Sequence, residues 1–223
     1  MNMGKLSTMA HPVKTRRYDS TSRRHAAQAT RSAILDAARQ LFIAKGYTAT
    51  SMAQIASEAG VAPDTVYASV GKKAELFTLL IESALSGQDE AIPGEQRDYV
   101  ARMRAAITAE AKLAIYAAAV TSIQARLAPL FLALRAAANA APELGSVWAA
   151  ISERRATNMH LLVEDLATTG ELRTDLSRDE AADVIWSMNS SEYYALLVLE
   201  RRWTPQRFET WLRDAWLRLL TTK

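Results

Sequence analysis

The chain has 223 residues, 49% of them hydrophobic and 23% charged, and it contains no cysteine. That balance fits a folded protein with a sizeable core, while the missing thiols exclude a disulfide scaffold and any thiolate metal site. A formal charge of only +3 conceals an uneven spread: Met1 to Arg31 carries seven basic residues against Asp19 alone, whereas residues 81–223 hold 16 basic and 19 acidic.

The leading stretch, residues 1–29, sets Lys5, Lys14, Arg16, Arg17, Arg23 and Arg24 among Ser, Thr, Gln and Ala. It lacks the apolar surface to fold alone and reads as a flexible basic arm. Such an arm either follows phosphates and enters a minor groove or is a solvated tail. It holds no apolar run of signal-peptide length, and no later run reads as long and uncharged enough to span a bilayer. The expectation is a cytoplasmic protein with no membrane partner.

From Thr30 the pattern becomes helical. Ile34, Leu35, Ala38, Leu41 and Phe42 share one face, and Lys45-Gly46 supplies a cationic last turn and a stop. A second helix is expected over Ser51 to Ala59, with Met52, Ile55, Ala56 and Ala59 at helical spacing. Thr50 or Ser51 can cap it, and Gln54 completes a capping box if Ser51 is the cap. Gly60 makes a corner, and Pro63 suits the first turn of a third helix. Ala56 permits close approach, Val66 fills the gap, and Pro63, Asp64, Thr65, Tyr67, Ala68 and Ser69 face outward. Two short helices meeting this way form either a helix-turn-helix with the chemistry of a major-groove reader or an ordinary helical hairpin in an all-α core.

After Gly71 a linking helix is expected over about residues 73–86, with Leu76, Phe77, Leu80, Ile81, Ala84 and Leu85 inward. GQDEAIPG is a polar break. A long helix is then expected from Glu95 to about Gln124, and Pro129 either kinks the helix there or restarts it. Another helix should run from near Leu144 to a stop at Gly170. Ser177 and Glu180 form a second capping box for a helix interrupted at Asn189-Ser190-Ser191, and Thr204-Pro205 starts the last one. No segment alternates at period two, so the fold class is all-α with about nine or ten helices.

The run from Thr30 to Phe77 resembles the N-terminal DNA-binding domain of the TetR family of bacterial transcriptional regulators. The residues that carry the likeness are ILDAARQLFIAKGY, Thr50-Ser51, the IA-x-x-AGVA turn, Thr65, Tyr67, Lys73 and Glu75-Leu76. Two places depart from the family pattern: Tyr67-Ala68-Ser69-Val70 stands where a Tyr-His-Tyr-Phe-like cluster is common, and Pro63-Asp64 where a Lys-Gly-like pair is usual.

The resemblance implies a homodimer on double-stranded DNA, with residues 30–77 as the DNA-binding domain and 78–223 as a helical effector-binding and dimerisation domain. The expected DNA contacts are Arg23, Arg24, Arg31, Thr50, Ser51, Pro63, Asp64, Thr65, Tyr67, Ala68, Lys72 and Lys73. Asp64 either accepts a cytosine amine or only favours the helix N-terminus through the dipole. Two-fold pairing would set the reading helices about 34 Å apart, which calls for a pseudo-palindromic operator.

Tyr99, Met103, Tyr116, Phe131, Trp148, Met159, His160 and Trp186 are the candidate lining of an effector pocket, or ordinary core. Leu162, Leu166, Tyr193, Leu197, Trp211 and Trp216 are the candidate dimer contacts. Three histidines, two of them in the arm, and no glycine-rich loop make no catalytic constellation. The reading is therefore a regulator, a repressor released by a small molecule, and not an enzyme; no cofactor or metal is expected. The alternatives are a helical protein-interaction module or a DNA-binding protein that needs no effector.

Overall fold

The first helix begins earlier than its apolar stripe requires. In the computed structural model, which describes residues 20–88, 92–139 and 141–222, α1 spans Ser20–Lys45 rather than starting at Thr30. Ile34, Leu35, Ala38 and Phe42 are buried and anchor it. Upstream, Arg23 to Ala29 is exposed yet built of Arg, Ala and Gln, which extend an existing helix readily, and no Gly or Pro stops them. So residues 20–29 are helical rather than a flexible arm, and the expectation for residues 1–19 falls outside the described residues.

The order then runs α2 Met52–Glu58, α3 Pro63–Val70, α4 Lys73–Ser86, α5 Asp98–Ala105, α6 Ala109–Ala138, α7 Pro142–Ala167, α8 Arg178–Met188, α9 Ser191–Tyr194 and α10 Pro205–Leu220. A 3-10 turn at Gly94–Gln96 precedes α5, and a π-helical stretch, Ala195–Glu200, continues α9. Among the described residues the fold is all-α with ten helices, and its only β pairing is one bridge between Leu172 and Thr221.

Three expectations change here. The single helix foreseen from Glu95 is broken at Ala106–Thr108, because Thr108 turns to cap α6, its hydroxyl accepting from Ala111 N at 3.2 Å. Pro129 neither ends nor restarts α6, which runs through it. Against the expectation of no membrane-length apolar run, α6 is long and apolar enough to be one by length and composition, and half of its apolar window is buried. Its place explains the composition: α6 packs against α1, α4, α5, α7, α9 and α10 and so has little polar face to show.

The caps fall where the sequence puts them. Ser177 and Glu180 close a capping box on α8, Ser190 caps α9 after the break at Asn189, and Thr204 caps α10. Along α10, Phe208, Leu212, Ala215, Trp216 and Leu220 face inward, and the Trp216 ring stacks on Tyr116 of α6 at 5.4 Å.

Gly71 makes the turn into α4. Its φ of 74° with ψ of −148° is a conformation essentially reserved for glycine, and an added Cβ would collide with the Glu75 carboxylate. That carboxylate accepts the Lys72 N–H at 2.6 Å, so moving it away breaks a cap. Gly71→Ala is expected to lower stability by about 1–3 kcal/mol in urea unfolding. An unchanged midpoint would show that the turn relaxes freely.

Candidate nucleic-acid interface and internal cavity

The α2–α3 corner is built by local chemistry. The Ser51 hydroxyl accepts from Gln54 N at 3.2 Å and Gln54 Oε1 accepts from Ser51 N at 2.8 Å, so the start of α2 is fixed from both sides. Gly60 takes φ of 67°, and Val61 N donates to Ala56 O at 3.0 Å across the turn. Ile55, Ala56 and Val66 are fully buried between the helices. With Val66 and Val70 turned inward, Pro63, Asp64, Tyr67 and Ala68 are exposed and Thr65 and Ser69 half-buried. Tyr67 is 51% exposed, a large ring half open to the outside.

The flanking residues divide. Thr50 is corrected: it is 1% exposed, and its hydroxyl donates to Gly46 O at 2.8 Å and Leu41 O at 3.2 Å, tying the α1–α2 turn instead of facing outward. Arg31 commits an N–H to the Ser69 carbonyl, bracing the end of α3 against α1. Lys73 lies 4.1 Å over the Tyr47 ring, and burial holds its pKa below the usual lysine value. Ser51, Lys72, Arg23 and Arg24 are exposed.

Further along, a cavity of roughly 650 Å³, counted to its open mouth, lies among α4, α6, α7 and the α8–α9 turn. Leu85, Val120, Ile123, Leu127, Phe131, Ile151 and Met159 supply its apolar wall. A polar chain crosses it: Asn189 Nδ2 donates to the Tyr116 hydroxyl at 2.8 Å, which donates to Met159 Sδ at 3.3 Å. Gln124 Nε2 donates to Asn189 O at 2.6 Å and Ser191 donates to Gln124 Oε1 at 2.8 Å. Burial pushes the Tyr116 phenol well above the usual tyrosine value, so it stays a neutral hydroxyl. Arg97, Arg154 and Arg155 complete the lining.

Of the expected pocket residues, Tyr99, Tyr116, Phe131 and Met159 line this cavity. Met103 lines a neighbouring recess that shares Tyr99, Tyr116 and Met159. The others are corrected. Trp148 sits one layer out, stacked on Phe131 at 4.6 Å, and Trp186 lies against Arg155 at 4.3 Å. His160 is exposed, 3.6 Å from Asp179 on the surface.

Residues 34–80, which span α1 to α4, match the family model described as bacterial regulatory proteins, tetR family. They form a TetR-family domain. No curated protein matches the chain. Among solved structures, it is similar to NalD of Pseudomonas aeruginosa, the secondary repressor of the MexAB-OprM multidrug efflux pump, at 22% identity. That alignment covers 89% of this chain and 99% of NalD, with a TM-score of 0.66. A TetR-family regulator from Mesorhizobium loti MAFF303099 aligns at 23% identity over 88% of this chain and 98% of its own, TM-score 0.62. A transcriptional regulator from Saccharomonospora viridis in complex with choline aligns at 16% identity over 86% and 98%, TM-score 0.63. The fold shared with these solved structures thus covers the body as well as the head.

Beyond the TetR-family head, three expected dimer contacts are corrected. Leu162, Leu166 and Trp216 are enclosed in the subunit's own core, because that face of α7 packs on α6 and α8 and the Trp216 face of α10 packs on α6. Tyr193, Leu197 and Trp211 lie on the surface in a groove with Trp203 and Arg207, beside exposed Leu196 and Leu199. Trp211 Nε1 donates to the Tyr193 hydroxyl at 2.6 Å, and Arg207 covers Trp203 at 4.0 Å.

The three cavity arginines were missed because charged residues on a helix read first as solvated. A signal was present: Arg155 occupies the inward position between Ile151 and Met159, and Gln124 the same position between Val120 and Leu127. A polar residue on an apolar stripe marks a cavity or a buried pair.

Proposed function

We propose that this chain is a DNA-binding transcriptional repressor, cytoplasmic and not an enzyme, that binds a pseudo-palindromic operator as a homodimer and is released by a small-molecule effector. The observation that carries it is the outward face of α3, with Asp64, Thr65 and Tyr67 presented by a helix-turn-helix that belongs to the TetR family. Residues 30–77 do the reading. The basic stretch ahead of them follows phosphates, residues 78–223 hold the effector and pair the subunits, and the surface around Tyr193, Leu197 and Trp211 is the contact between copies. The cavity supports the effector, since an apolar wall with a few convergent polar groups is the make-up of small-molecule sites.

The Tyr67 hydroxyl suits a phosphate, and Thr65 a phosphate or a thymine methyl. Selecting bound duplexes from a random pool is expected to return an inverted repeat whose half-sites lie about one helical turn apart. Gel shifts on that duplex should weaken by about 10³ to 10⁵ between 50 and 200 mM salt if the dimer neutralises roughly six to ten phosphates. Retention of no duplex, or a salt-insensitive affinity, overturns the reading in favour of a protein-interaction module. For Asp64→Ala, a relaxed preference at one base pair identifies a cytosine reader, and an unchanged base profile identifies a residue that only supports the helix N-terminus.

A further inference from the structure

The geometry points to the chemical class of the effector: we propose that the cavity takes an apolar monoanion, a carboxylate on a hydrophobic body, with Arg155 receiving the carboxylate. This rests on the effector reading above and goes one step further. Three guanidinium groups line the cavity and no acidic side chain does. Two of the three are engaged: Arg97 donates to the Ile92 carbonyl, and Arg154 pairs with Glu82 of α4 at 2.7 Å.

Arg155 has no such partner. Among the described residues no carboxylate oxygen lies within ion-pair distance of it, and its Nε is buried with no hydrogen bond. Glu192, the acid whose field it feels, is held by Arg135 at 2.7 Å. Arg155 is half-buried with its Nε enclosed, and a charge so desolvated without a counter-ion is costly. The Trp186 ring lies 4.3 Å from the guanidinium carbon and covers that side, which leaves the other N–H groups for a carboxylate.

The rest of the lining sets the remainder of the ligand. Leu85, Ile123, Leu127, Phe131 and Ile151 accept an aliphatic or aromatic body. A cation would meet three like charges, and a neutral compound would leave Arg155 unpaired. Asn189 Oδ1 is buried with no partner, so a hydroxyl or amide N–H on the body would strengthen binding without being required.

The test uses the full chain and three probes of one shape: 4-phenylbutanoate, its primary amide, and 4-phenylbutylamine. Calorimetric titration is expected to show the acid binding at least about tenfold more tightly than the amide, and the amine not at all. In Arg155→Gln the acid's advantage over its amide should collapse, and in Arg155→Lys, which keeps the charge but not the fork, it should fall part-way. Circular dichroism checks that both variants fold, and the wild-type ranking stands without them. Amide or amine binding as tightly as the acid, binding of none of the three, or an advantage that survives Arg155→Gln overturns the assignment.

Gel shifts on the selected operator keep the two readings apart. Release by a neutral or cationic compound would sustain the repressor and sink the anionic effector. Acid bound at Arg155 with the operator complex intact would sustain the anion site and sink the switch.

Discussion

Replacing Phe77 with alanine is expected to cost about 3–5 kcal/mol of folding stability and to abolish operator binding at protein concentrations where the unaltered chain saturates it. Phe77 is fully buried where α4 leaves the head. Its ring meets Phe42 of α1 edge-on at 4.9 Å and 73°, and Tyr47 of the α1–α2 turn at 5.5 Å and 86°. Each such pair contributes about 0.5–1.5 kcal/mol beyond the burial of its area. The same apolar cluster continues from α1–α3 through α4 to Leu127, Leu130, Phe131 and Leu134 of α6, so the cavity left by truncation loosens head and body together. Phe77→Leu keeps most of the volume and should cost about 1.5 kcal/mol or less. Urea unfolding of both variants beside gel shifts reads the outcome, and a loss below about 1 kcal/mol for alanine would show that the joint is not a packed unit.

That joint decides where an effector can act. At its head end α4 is locked by Phe77, and Lys73 lies on Tyr47. At the other end Glu82 pairs with Arg154, the Ala84 carbonyl accepts from Arg126 at 3.1 Å, and Leu85 lines the cavity. Head and α4 thus form one packed body whose cavity end is held by polar contacts. A ligand shifts the DNA-bound population only through a preference for one placement of that end. A ligand held at Arg155 and packed against Leu85 would supply one, with its effect carried to α3 by the rigid aromatic joint.

What was legible in the sequence was local. Ser51 with Gln54, Gly60, Ser177 with Glu180, and Thr204 each make their bond within three or four residues, so the spacing states the geometry. The start of α1 was not legible, because exposed Arg and Ala continue a helix without leaving a stripe. Which stripe faces which partner was hidden as well. Leu162 and Trp211 are both apolar residues on amphipathic helices, yet the packing of α7 on α6 and α8 puts the first inside, while α10 packs on α6 through another face and leaves the second 40% exposed. The cavity depends on residues as distant as Leu85, Gln124, Arg155 and Asn189, and no pattern along the chain joins them.

The second large effect is expected at Lys112, whose side chain is only 2% exposed in the middle of the apolar body. Its ammonium donates to Asp165 Oδ2 at 2.8 Å, Met103 O at 3.0 Å and Arg104 O at 3.5 Å. One cation thus joins α6 to α7 and caps the last turn of α5, where unpaired carbonyls carry partial negative charge. Asp165→Ala leaves that cation buried with two carbonyls and no counter-ion, a change that costs about 3–5 kcal/mol in such settings. K112M is expected to cost less, because Asp165 is partly exposed and water can reach it. Joining K112M to D165L should restore much of the loss, since an apolar pair of similar volume commonly replaces a buried ion pair without penalty. Urea unfolding of K112M, D165L and the double closes the cycle, and additive losses would show that the two side chains act independently. The consequence reaches the cavity: α5 presents Tyr99, with Arg97 immediately ahead of its first turn, so Asp165→Ala should also weaken binding of 4-phenylbutanoate in a variant that still folds.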